Sequence, residues 1–374
     1  MTPVSSVHQP LRVLHFVTGG FSGATQVAID LCQAQQAAGH IAPMLVLRRK
    51  RHTDMARVEA LRAQGLDVRV VPGWAHWVTI GALVRLCRAW RPDVLMAHGF
   101  PEHLIGRRAG RLAGVPRLIQ VEHNSRERYT AWSRRRARRL DAASSALVGV
   151  SEGVRRVLVR LGAPESLTRA IPNGISLDRF AAADPDAPRD DAIIMSARFA
   201  RQKDQPTLIR AMALLRDRGL TPPLYLAGSG SFAWRWKSER LVARLELCNV
   251  QFLGHVADMP ARLMRTRIFV LATHWEGMPL ALVEAMAAGC ACIATQAPGT
   301  EGLLDDGRGL YVPEGDPAAL ADAIARLLGD ASLAARLGRA ALEHARAELG
   351  VEHMMARYEA LLLGESLKSG PGVR

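Results

Sequence analysis

Short apolar runs alternate with helical patterns along most of this 374-residue chain, and this alternation constrains the fold more than any other feature. The apolar runs have the length of buried strands, and most end at glycine or at a polar residue. Strands that alternate with helices form parallel sheets with helices on both faces. The pattern therefore predicts an α/β fold whose ligands bind beyond the carboxyl ends of the strands.

The predicted elements fall into two series. The strands of the first series are 11–17, 42–47, 68–71, 93–97, 117–121 and 146–150, with helices at 24–38, 55–64, 83–90 and 102–113. The strands of the second series are 192–197, 224–227, 250–253, 268–271 and 290–295, with helices at 205–218, 238–245, 280–288 and 317–328.

A break near the middle of the chain separates the two series. Residues 181–191 are rich in Ala, Asp and Pro, and we interpret them as a linker. We expect a basic N-terminal domain at 1–180 and a C-terminal domain at 192–350. A last helical pattern, at about 343–363, predicts a C-terminal helix within 351–374 that ends in a flexible tail.

The segment from His274 to Glu284 carries the most specific chemistry. Glu276 follows a buried strand, Gly277 and Pro279 mark a turn, and Glu284 lies on the next helix. Pro279 suits the first helical position, and glycine at 289 suits the helix end. The N-terminus of a helix offers free N–H groups to a diphosphate, and the two carboxylates can accept hydrogen bonds from hydroxyls. This combination favours a nucleotide-sugar, although two glutamates eight residues apart also occur by chance in helical proteins.

Polar side chains follow several other predicted strands. His98 and His123 follow strands of the first domain, and either could be a structural histidine instead of a ligand-binding one. Arg198 and Lys203 follow a strand of the second domain. Their charges suit a diphosphate, and the alternative is an exposed pair near a helix start.

Four segments of this sequence resemble a known family. These segments are the Glu276–Thr295 region with Glu-Ala-Met-Ala-Ala-Gly at 284–289, Ala-Arg-Phe-Ala-Arg-Gln-Lys-Asp at 197–204, Ile-Pro-Asn-Gly-Ile at 171–175 and Thr-Gly-Gly-Phe-Ser-Gly-Ala at 18–24. Together they resemble the retaining GT-B glycosyltransferases of family 4, also called glycosyltransferase group 1, over about residues 11–330. The resemblance implies two Rossmann-like βαβ domains that face each other across a cleft, with the C-terminal helix packed back on the first domain.

The resemblance also implies roles for individual residues. It assigns Glu276 to hydroxyls of the donor sugar, Glu284 to the ribose, and Arg198 with Lys203 to the diphosphate. The residues it implies as catalytic are His123, Arg198, Lys203 and Glu276. Those it implies as substrate-binding are Gly20, Gly23, Ala24, His98, Gly228, Gly230, Gly277, Met278, Pro279, Leu280 and Glu284. For Gly228 and Gly230 a simple strand-to-helix turn is the alternative.

Two positions depart from the family pattern. Glu122 stands beside His123 where a small or polar residue is more usual, so either side chain could face the ligand. Thr25 stands where the family often has an acidic residue after Gly-Ala, which puts any role of that side chain in doubt.

The implied chemistry is sugar transfer with retention of configuration. No carboxylate in the matching motifs is placed as a nucleophile, so we expect front-face attack in which the departing diphosphate takes the acceptor proton. Arg198, Lys203 and the helix N-terminus would stabilise that leaving group. We expect no cofactor and no requirement for a metal. The Asp184-Pro185-Asp186 motif lies in the predicted linker and not at a strand end, so we do not expect it to bind a metal–diphosphate.

The charge distribution predicts a partner for the N-terminal half. Residues 1–180 carry 27 Lys and Arg against 12 Asp and Glu, whereas the remainder is nearly balanced. The densest part, from Arg126 to Arg139, interleaves arginines with Tyr129 and Trp132, which favours an anionic membrane surface. A solvated arginine face and nucleic acid are the alternatives, and we expect no nucleic acid.

Other features indicate the compartment. The chain has no apolar stretch long enough to span a membrane, and its five cysteines are scattered, as in a reducing environment. We expect no signal peptide, because the first ten residues lack a basic segment followed by an apolar one. Cys290 and Cys292 are interpreted as core residues of a strand. We expect a cytoplasmic protein that is peripheral on the inner face of the plasma membrane.

The expected partners are a nucleotide-sugar donor and a glycan or lipid-linked acceptor. Such an acceptor would be an intermediate of exopolysaccharide, capsule or lipopolysaccharide assembly. Two other functions stay open: a GT-B protein of other chemistry, such as a sugar-nucleotide epimerase or a phosphorylase, and an inactive basic protein that binds membrane or nucleic acid.

Overall fold

The computed structural model of the protein describes residues 9–126 and 129–364. Within them the chain divides into two compact units. Unit 1 comprises residues 9–174 together with 351–364, and unit 2 comprises residues 175–350. Each unit is built on one parallel sheet, as the alternating pattern predicts.

Unit 1 contains a seven-stranded sheet in the order β3-β2-β1-β4-β5-β6-β7. Its strands are β1 (Leu11–Thr18), β2 (Ile41–Arg48), β3 (Val68–Val71), β4 (Val94–His98), β5 (Arg117–Glu122), β6 (Ala146–Gly149) and β7 (Thr168–Ala170). Its helices are α1 (Gly23–Ala38), α2 (Met55–Ala63), α3 (His76–Trp90), α4 (Glu102–Ala113), α5 (Ala131–Asp141) and α6 (Glu152–Arg160). All neighbouring strands are parallel.

The unit 1 sheet is buried on both faces because successive residues of a strand point to opposite sides. Leu14 and Phe16 of β1 belong to one apolar core with α3 and α4. Val17 of the same strand belongs to a second core with α1 and α2. Continuous apolar runs in the sequence are therefore the expected pattern for these strands.

Unit 2 contains a six-stranded parallel sheet in the order β10-β9-β8-β11-β12-β13. Its strands are β8 (Asp190–Ser196), β9 (Leu224–Ala227), β10 (Val250–Gly254), β11 (Thr266–Leu271), β12 (Ala291–Thr295) and β13 (Leu310–Val312). Its helices are α7 (Gln205–Asp217), α8 (Phe232–Arg244), α9 (Met259–Arg265), α10 (Leu280–Ala287), α11 (Pro317–Gly329) and α12 (Ala331–Glu348).

The last helix, α13 (Val351–Leu363), returns to unit 1, where it packs against α1. Met354, Tyr358 and Leu362 form its buried side. The sequence pattern predicted one helix over 343–363, but α12 ends at Glu348 and α13 begins at Val351. The break lies at Leu349, whose carbonyl accepts a hydrogen bond from the N–H of Ile175 at 3.0 Å.

Residues 181–191, predicted as a linker, lie within unit 2, and the chain passes between the units at 174–175 and 350–351. The guanidinium of Arg189 donates a hydrogen bond to the carbonyl of Ala288 at 2.7 Å. Arg346 of α12 donates to the carbonyl of Ala183 at 3.0 Å. The polar composition of this segment therefore reflects side chains that tie it to unit 2. The predicted tail beyond residue 364 lies outside the described residues.

Strand order determines where each sheet can bind a ligand. In a doubly wound sheet the crevice forms where the strand order reverses, outside the carboxyl ends of the strands. That reversal lies between β1 and β4 in unit 1 and between β8 and β11 in unit 2. In unit 1 the glycine-rich segment follows β1 and His98 is the last residue of β4, whereas Arg198, Lys203 and Glu276 follow the strands of the second pair.

Candidate active site

Two loops of unit 2 are joined at the carboxyl ends of β8 and β11. Lys203 and Thr273 form an antiparallel bridge, and the N–H of His274 donates to the carbonyl of Gln202 at 2.9 Å. The N–H of Asp204 donates to the carbonyl of Ala272 at 3.0 Å. These bonds bring together two predicted site motifs that are about 70 residues apart in sequence.

The carboxylate of Glu276 lies at the centre of these loops. It accepts hydrogen bonds from Thr273 Oγ1 at 2.8 Å and from Gln202 Nε2 at 3.2 Å. Lys203 Nζ forms a hydrogen-bonded ion pair with Oε1 of the same carboxylate. Glu276 is 5% exposed, so three donors orient a nearly buried anion, and bonds to charged groups are the stronger kind.

A turn after β12 supports the backbone of the Glu276 loop. A Cβ added to Gly299 would lie 2.4 Å from the carbonyl oxygen of Gly277 and 2.5 Å from that of Glu276. Thr300 is fully buried, and its hydroxyl donates to the carbonyl of Thr295 at 2.8 Å. Gly299 is therefore needed because a side chain there would push the Glu276 loop away.

Helix α10 follows this loop directly. Pro279 was predicted at the first helical position, but it is the N-cap residue and the helix begins at Leu280. Within the described residues, the N–H groups of Leu280 and Ala281 have no acceptor, so they are available to an anion at the helix N-terminus. Gly277, Met278 and Pro279 are all buried in this turn.

Glu284 lies on α10, one turn beyond those free N–H groups. Its carboxylate is 22% exposed and forms an ion pair with Arg179 Nη1 at 3.4 Å. Arg179 itself is half exposed, on a short helical turn at 177–180. The arrangement leaves Glu284 accessible for hydrogen bonds with a ligand.

Arg198 is exposed on the turn after β8, and a close backbone approach positions this turn. A Cβ on Gly228, whose φ is 131°, would lie 2.3 Å from the carbonyl oxygen of Ala197. Phe199 forms a bridge with Gly230, and its N–H donates to the carbonyl of Ser229 at 2.9 Å. Both glycines therefore pack the turn that carries Arg198.

The glycine-rich segment of unit 1 connects β1 to α1. Gly20 and Gly23 are exposed, and nothing lies within 4 Å of the Cβ position of Gly23. Ala24 is half-buried in the first turn of α1. Thr25 is fully buried, and its hydroxyl donates to the carbonyl of Thr18 at 2.9 Å while accepting from the N–H of Ser22 at 3.2 Å. Thr25 thus closes the start of the helix.

His98 and His123 meet beyond β4 and β5. His98 Nδ1 and His123 Nε2 are 3.1 Å apart, and His98 Nε2 lies 3.1 Å from Nδ1 of His15. His98 is 1% exposed, and each of its ring nitrogens lies within hydrogen-bond distance of another imidazole. Its contact with a substrate stays a prediction, and in the structure it contacts His123. His123 is half-buried and is the more accessible of the two.

Glu122, the residue beside His123, points into unit 1. It is 1% exposed, and it accepts hydrogen bonds from the N–H of His123 at 3.0 Å and from the hydroxyl of Tyr129 at 3.3 Å. The Tyr129 oxygen lies 2.6 Å from Nε2 of His103, and the Nδ1 of His103 accepts from Arg107 at 3.0 Å. This network holds the backbone of His123 in place.

The structure also bears on the remaining expectations. Cys290 and Cys292 are fully buried, which confirms that they are core residues, and burial raises the pKa of the Cys290 thiol to about 12. Within residues 9–126 and 129–364, no cluster of three His, Cys, Asp or Glu side chains could hold a metal ion. No helix in the same ranges is both long enough and apolar enough to cross a bilayer.

Several site residues were missed by sequence reasoning. Gly299 lies in an Ala-Pro-Gly-Thr stretch just after a buried strand, and that turn signal could have identified it. Gln202, Thr273 and Arg179 carry no local signal, because only the folded chain brings them to Glu276 and Glu284. His15 lies inside an apolar strand, where the sequence pattern predicts only a core position.

Comparisons with known proteins agree with this geometry. The family described as Glycosyltransferase Family 4 matches residues 21–179, and the family described as Glycosyl transferases group 1 matches residues 190–330. The two matches together span most of both units. HepE from Anabaena, solved in complex with UDP-glucose, superimposes with a TM-score of 0.82 and 20% identity over 95% of this chain and all of that one.

Two sequence relatives match this chain over different lengths. EpsF of Bacillus subtilis is 36% identical over 207 residues, which are 50% of this chain and 53% of EpsF. The chain thus spans about half the length of that relative. The UDP-Gal:alpha-D-GlcNAc-diphosphoundecaprenol alpha-1,3-galactosyltransferase of Escherichia coli is 25% identical over 67% of this chain and 70% of its own length.

The likeness to solved structures over nearly the whole chain confirms the predicted GT-B fold. The two family matches include residues 21–24 of the glycine-rich segment, the Arg198–Lys203 turn and the Glu276–Glu284 segment. This chain therefore belongs to the group 1 glycosyltransferases of the GT-B fold.

Proposed function

We propose that this protein transfers a sugar, with retention of configuration, from a nucleoside diphosphate donor to a hydroxyl group of a glycan or lipid-linked acceptor. The observation that carries the proposal is the joined pair of loops in unit 2. There Lys203 and Glu276 meet beside the N-terminus of α10, with Glu284 on the same helix. An anion site flanked by oriented carboxylates suits a diphosphate that carries sugars on both sides.

In unit 2, some groups would stabilise negative charge and others would orient the donor. Arg198, Lys203 and the N–H groups of Leu280 and Ala281 would stabilise the diphosphate as negative charge develops on it. Glu276 would accept hydrogen bonds from donor-sugar hydroxyls, and Glu284 from the ribose. Gly228 and Gly230 hold the Arg198 turn, and Gly277, Met278 and Pro279 shape the approach to the helix.

The Lys203–Glu276 ion pair has a consequence for binding. Lys203 donates to Glu276 in the structure, and its ammonium carries three donors. It can therefore keep that bond and still donate to a phosphate oxygen. The pair would fix the ammonium in place before the donor arrives, which reduces the cost of ordering it in the complex.

In the chemical step, the bond between the anomeric carbon and the diphosphate oxygen breaks while the acceptor oxygen bonds to the same face of that carbon. The acceptor proton passes to the departing diphosphate. This front-face course gives retention without a protein nucleophile, and it requires no metal. His123 would lie beside the donor sugar, and the backbone at Gly20, Gly23 and Ala24 would meet the diphosphate or the acceptor.

The acceptor is proposed to be lipid-linked, as an intermediate of exopolysaccharide, capsule or lipopolysaccharide assembly. The name of the E. coli relative gives a diphosphoundecaprenol acceptor for that protein. In this chain, α5 exposes four arginines and presents Trp132 at 67% exposure. Arg136 lies over the Trp132 ring at 4.3 Å. Residues 127–128 of the predicted basic segment lie outside the described residues.

A second exposed aromatic group lies in the same unit. Trp74 precedes α3 and Trp77 lies in its first turn, and they are 75% and 72% exposed. Between them, the pKa of His76 is lowered by partial burial and by the positive charges of Arg48, Arg136 and Lys50. Both groups of exposed aromatic residues belong to unit 1. Arginines mixed with interfacial tryptophans suit an anionic bilayer, so we place the protein on the cytoplasmic face of the membrane.

The first test is thermal stabilisation by UDP, GDP, ADP and TDP, measured on wild type, Glu284→Ala and a matched control. Glu343→Ala suits the control because Glu343 is exposed on α12. We expect one diphosphate to raise the Tm of wild type and of the control, and this shift to be lost in Glu284→Ala. A ligand bound at 100 times its Kd stabilises by about 2.7 kcal/mol, which a melting curve resolves.

Each outcome bears on the proposal. A shift with one diphosphate would name the donor base, and release of that diphosphate from a sugar donor plus acceptor would then establish transfer. Equal shifts in Glu284→Ala and wild type would remove Glu284 from the site. No shift with any diphosphate, in a protein that melts cooperatively, would contradict the proposed function.

A further inference from the structure

Four polar side chains of unit 1 form one continuous hydrogen-bond series that ends at His123. Gln35 Oε1 lies 2.8 Å from His15 Nε2, His15 Nδ1 lies 3.1 Å from His98 Nε2, and His98 Nδ1 lies 3.1 Å from His123 Nε2. Gln35 and His15 are fully buried, and His98 is 1% exposed. The hydrogen-bond series thus starts in the core on α1, continues through side chains of β1 and β4, and ends at the half-buried ring of His123.

The three imidazoles are neutral near pH 7. Burial lowers the pKa of His15 to about 4 and that of His123 to about 3. Burial, together with repulsion by His15 and His123, holds the pKa of His98 well below its usual value. A neutral imidazole has one N–H donor and one acceptor nitrogen, so two adjacent rings can hydrogen-bond only if their tautomers are matched.

From this geometry we infer that Gln35 and His15 are positioning residues that fix the tautomer of His123. Gln35 Oε1 can only accept, so His15 carries its proton on Nε2 and accepts on Nδ1. His98 then donates from Nε2 and accepts on Nδ1, and His123 donates from Nε2. Nδ1 of His123 is left as a hydrogen-bond acceptor.

The surroundings of His123, where the hydrogen-bond series ends, fit this assignment. Within residues 9–126 and 129–364, no protein group donates a hydrogen bond to Nδ1 of His123. The backbone of His123 is held separately, through the bond from its N–H to Glu122. An accepting nitrogen suits a hydroxyl donor, such as a sugar hydroxyl, and it does not suit a phosphate oxygen. This last step rests on the proposed function; the tautomer assignment does not.

The donor-to-acceptor direction of these hydrogen bonds depends on the orientation of the Gln35 side-chain amide. Nε2 of Gln35 is buried and has no partner among the described residues. If the amide were turned over, Nε2 of Gln35 would donate to His15, and the donor and acceptor would exchange in every hydrogen bond from Gln35 to His123. His123 would then present an N–H at Nδ1. Replacing Gln35 with Glu leaves only accepting oxygens at this position and preserves the inferred direction.

The test is ¹⁵N NMR of the histidine ring nitrogens in the full-length protein, with the His123 signals assigned by His123→Gln. We expect wild type and Gln35→Glu to show His123 protonated on Nε2 and unprotonated on Nδ1. In Gln35→Leu the constraint is gone, and we expect both tautomers of His123. Gln33→Leu is the matched control, because Gln33 is exposed on the same helix and should leave the spectrum unchanged.

Two results would overturn the inference. One is a proton on Nδ1 of His123 in wild type, a measurement that needs no variant to fold. The other is a single, unchanged tautomer in a folded Gln35→Leu.

A kinetic measurement then tests the role in transfer. We expect Gln35→Leu to lower kcat/KM for transfer by roughly tenfold, as outer partners of a site histidine do elsewhere, with diphosphate affinity unchanged. Gln35→Glu should restore it. If the NMR result holds but transfer is absent from wild type, the proposed function fails and the tautomer assignment survives. If transfer is present and Gln35→Leu equals wild type, the positioning role fails.

Discussion

Individual side chains of this protein are oriented by buried partners before any ligand is present. Glu276 is held by Thr273, Gln202 and Lys203, and His123 by His98 and by the carboxylate of Glu122. Each of these side chains is at least partly buried, so leaving its polar atoms without a hydrogen-bond partner would cost free energy. Binding residues that are already oriented lose less conformational entropy when a ligand arrives.

The same burial predicts a pH dependence of stability. The folded-state pKa of His15 is about 4, whereas an unfolded histidine titrates near 6.5, so the unfolded chain binds more protons in between. The free energy of unfolding should therefore fall as the pH is lowered from about 6.5 to about 4. His15 alone contributes up to about 1.4 kcal/mol per pH unit in that window.

Urea unfolding at pH 7 and at pH 5 measures this effect. We expect His15→Asn to be less stable than wild type at pH 7 but to lose less stability between the two pH values. His52→Asn is the control, since His52 is exposed in a loop and its replacement should not alter the slope. Equal pH dependence in wild type and His15→Asn would contradict the argument, because it would mean that the pKa of His15 is the same in the folded and unfolded states.

At the scale of secondary-structure elements, turns at the carboxyl ends of the strands are packed backbone against backbone. The turn containing Gly299 lies against the Glu276 loop, and Gly228 lies against the Arg198 turn. No side chain fits between these segments, so the position of each candidate-site loop depends on a glycine in a neighbouring turn. Such contacts transmit small displacements directly to the site.

Substituting Gly299 tests this dependence. In Gly299→Ala the new Cβ would lie within about 2.5 Å of two carbonyl oxygens, so the Glu276 loop must move. We expect kcat/KM to fall at least roughly tenfold while the protein remains folded. Gly81→Ala in α3 is the control: nothing lies within 4 Å of its Cβ position, and it should stabilise by up to about 1 kcal/mol. Wild-type kinetics in folded Gly299→Ala would contradict the argument.

On the scale of the whole molecule, positive charge is concentrated in residues 1–180, and part of it is displayed on α5. Arg134, Arg135, Arg138 and Arg139 are exposed there. Near an anionic bilayer each such residue contributes on the order of 1 kcal/mol of attraction, screened by salt. Unit 2 has no comparable excess, so orientation on a membrane would follow from unit 1.

Vesicle cosedimentation checks the membrane proposal. Wild type should bind phosphatidylglycerol-containing vesicles, should bind them less as NaCl rises, and should not bind pure phosphatidylcholine. Arg→Gln at 134, 135, 138 and 139 together should weaken binding at least about tenfold. The control carries the same exchange at four exposed arginines of unit 2: Arg210, Arg265, Arg326 and Arg336. Equal weakening by both sets would mean that only net charge matters, and no binding by wild type would refute the proposal.

The sequence by itself determined the class of each element and the kind of residue at the strand ends. Burial on both faces requires apolar runs such as 268–271, and the positive φ at Gly289 after α10 requires glycine. These are local requirements, so a single stretch of sequence reports them. They were enough to predict two parallel sheets and to place Arg198, Lys203, Glu276 and His123 at strand ends.

Only the tertiary structure decided which of these side chains meet. Lys203 and Glu276 come together because β8 and β11 are neighbours in the sheet, and His15 supports His98 because β1 lies beside β4. It also decided that residues 181–191 pack on unit 2 and that His98 is buried. The physical reason is that strand order and register set contacts between residues far apart in sequence, whereas hydrophobic period and turn chemistry act over a few residues.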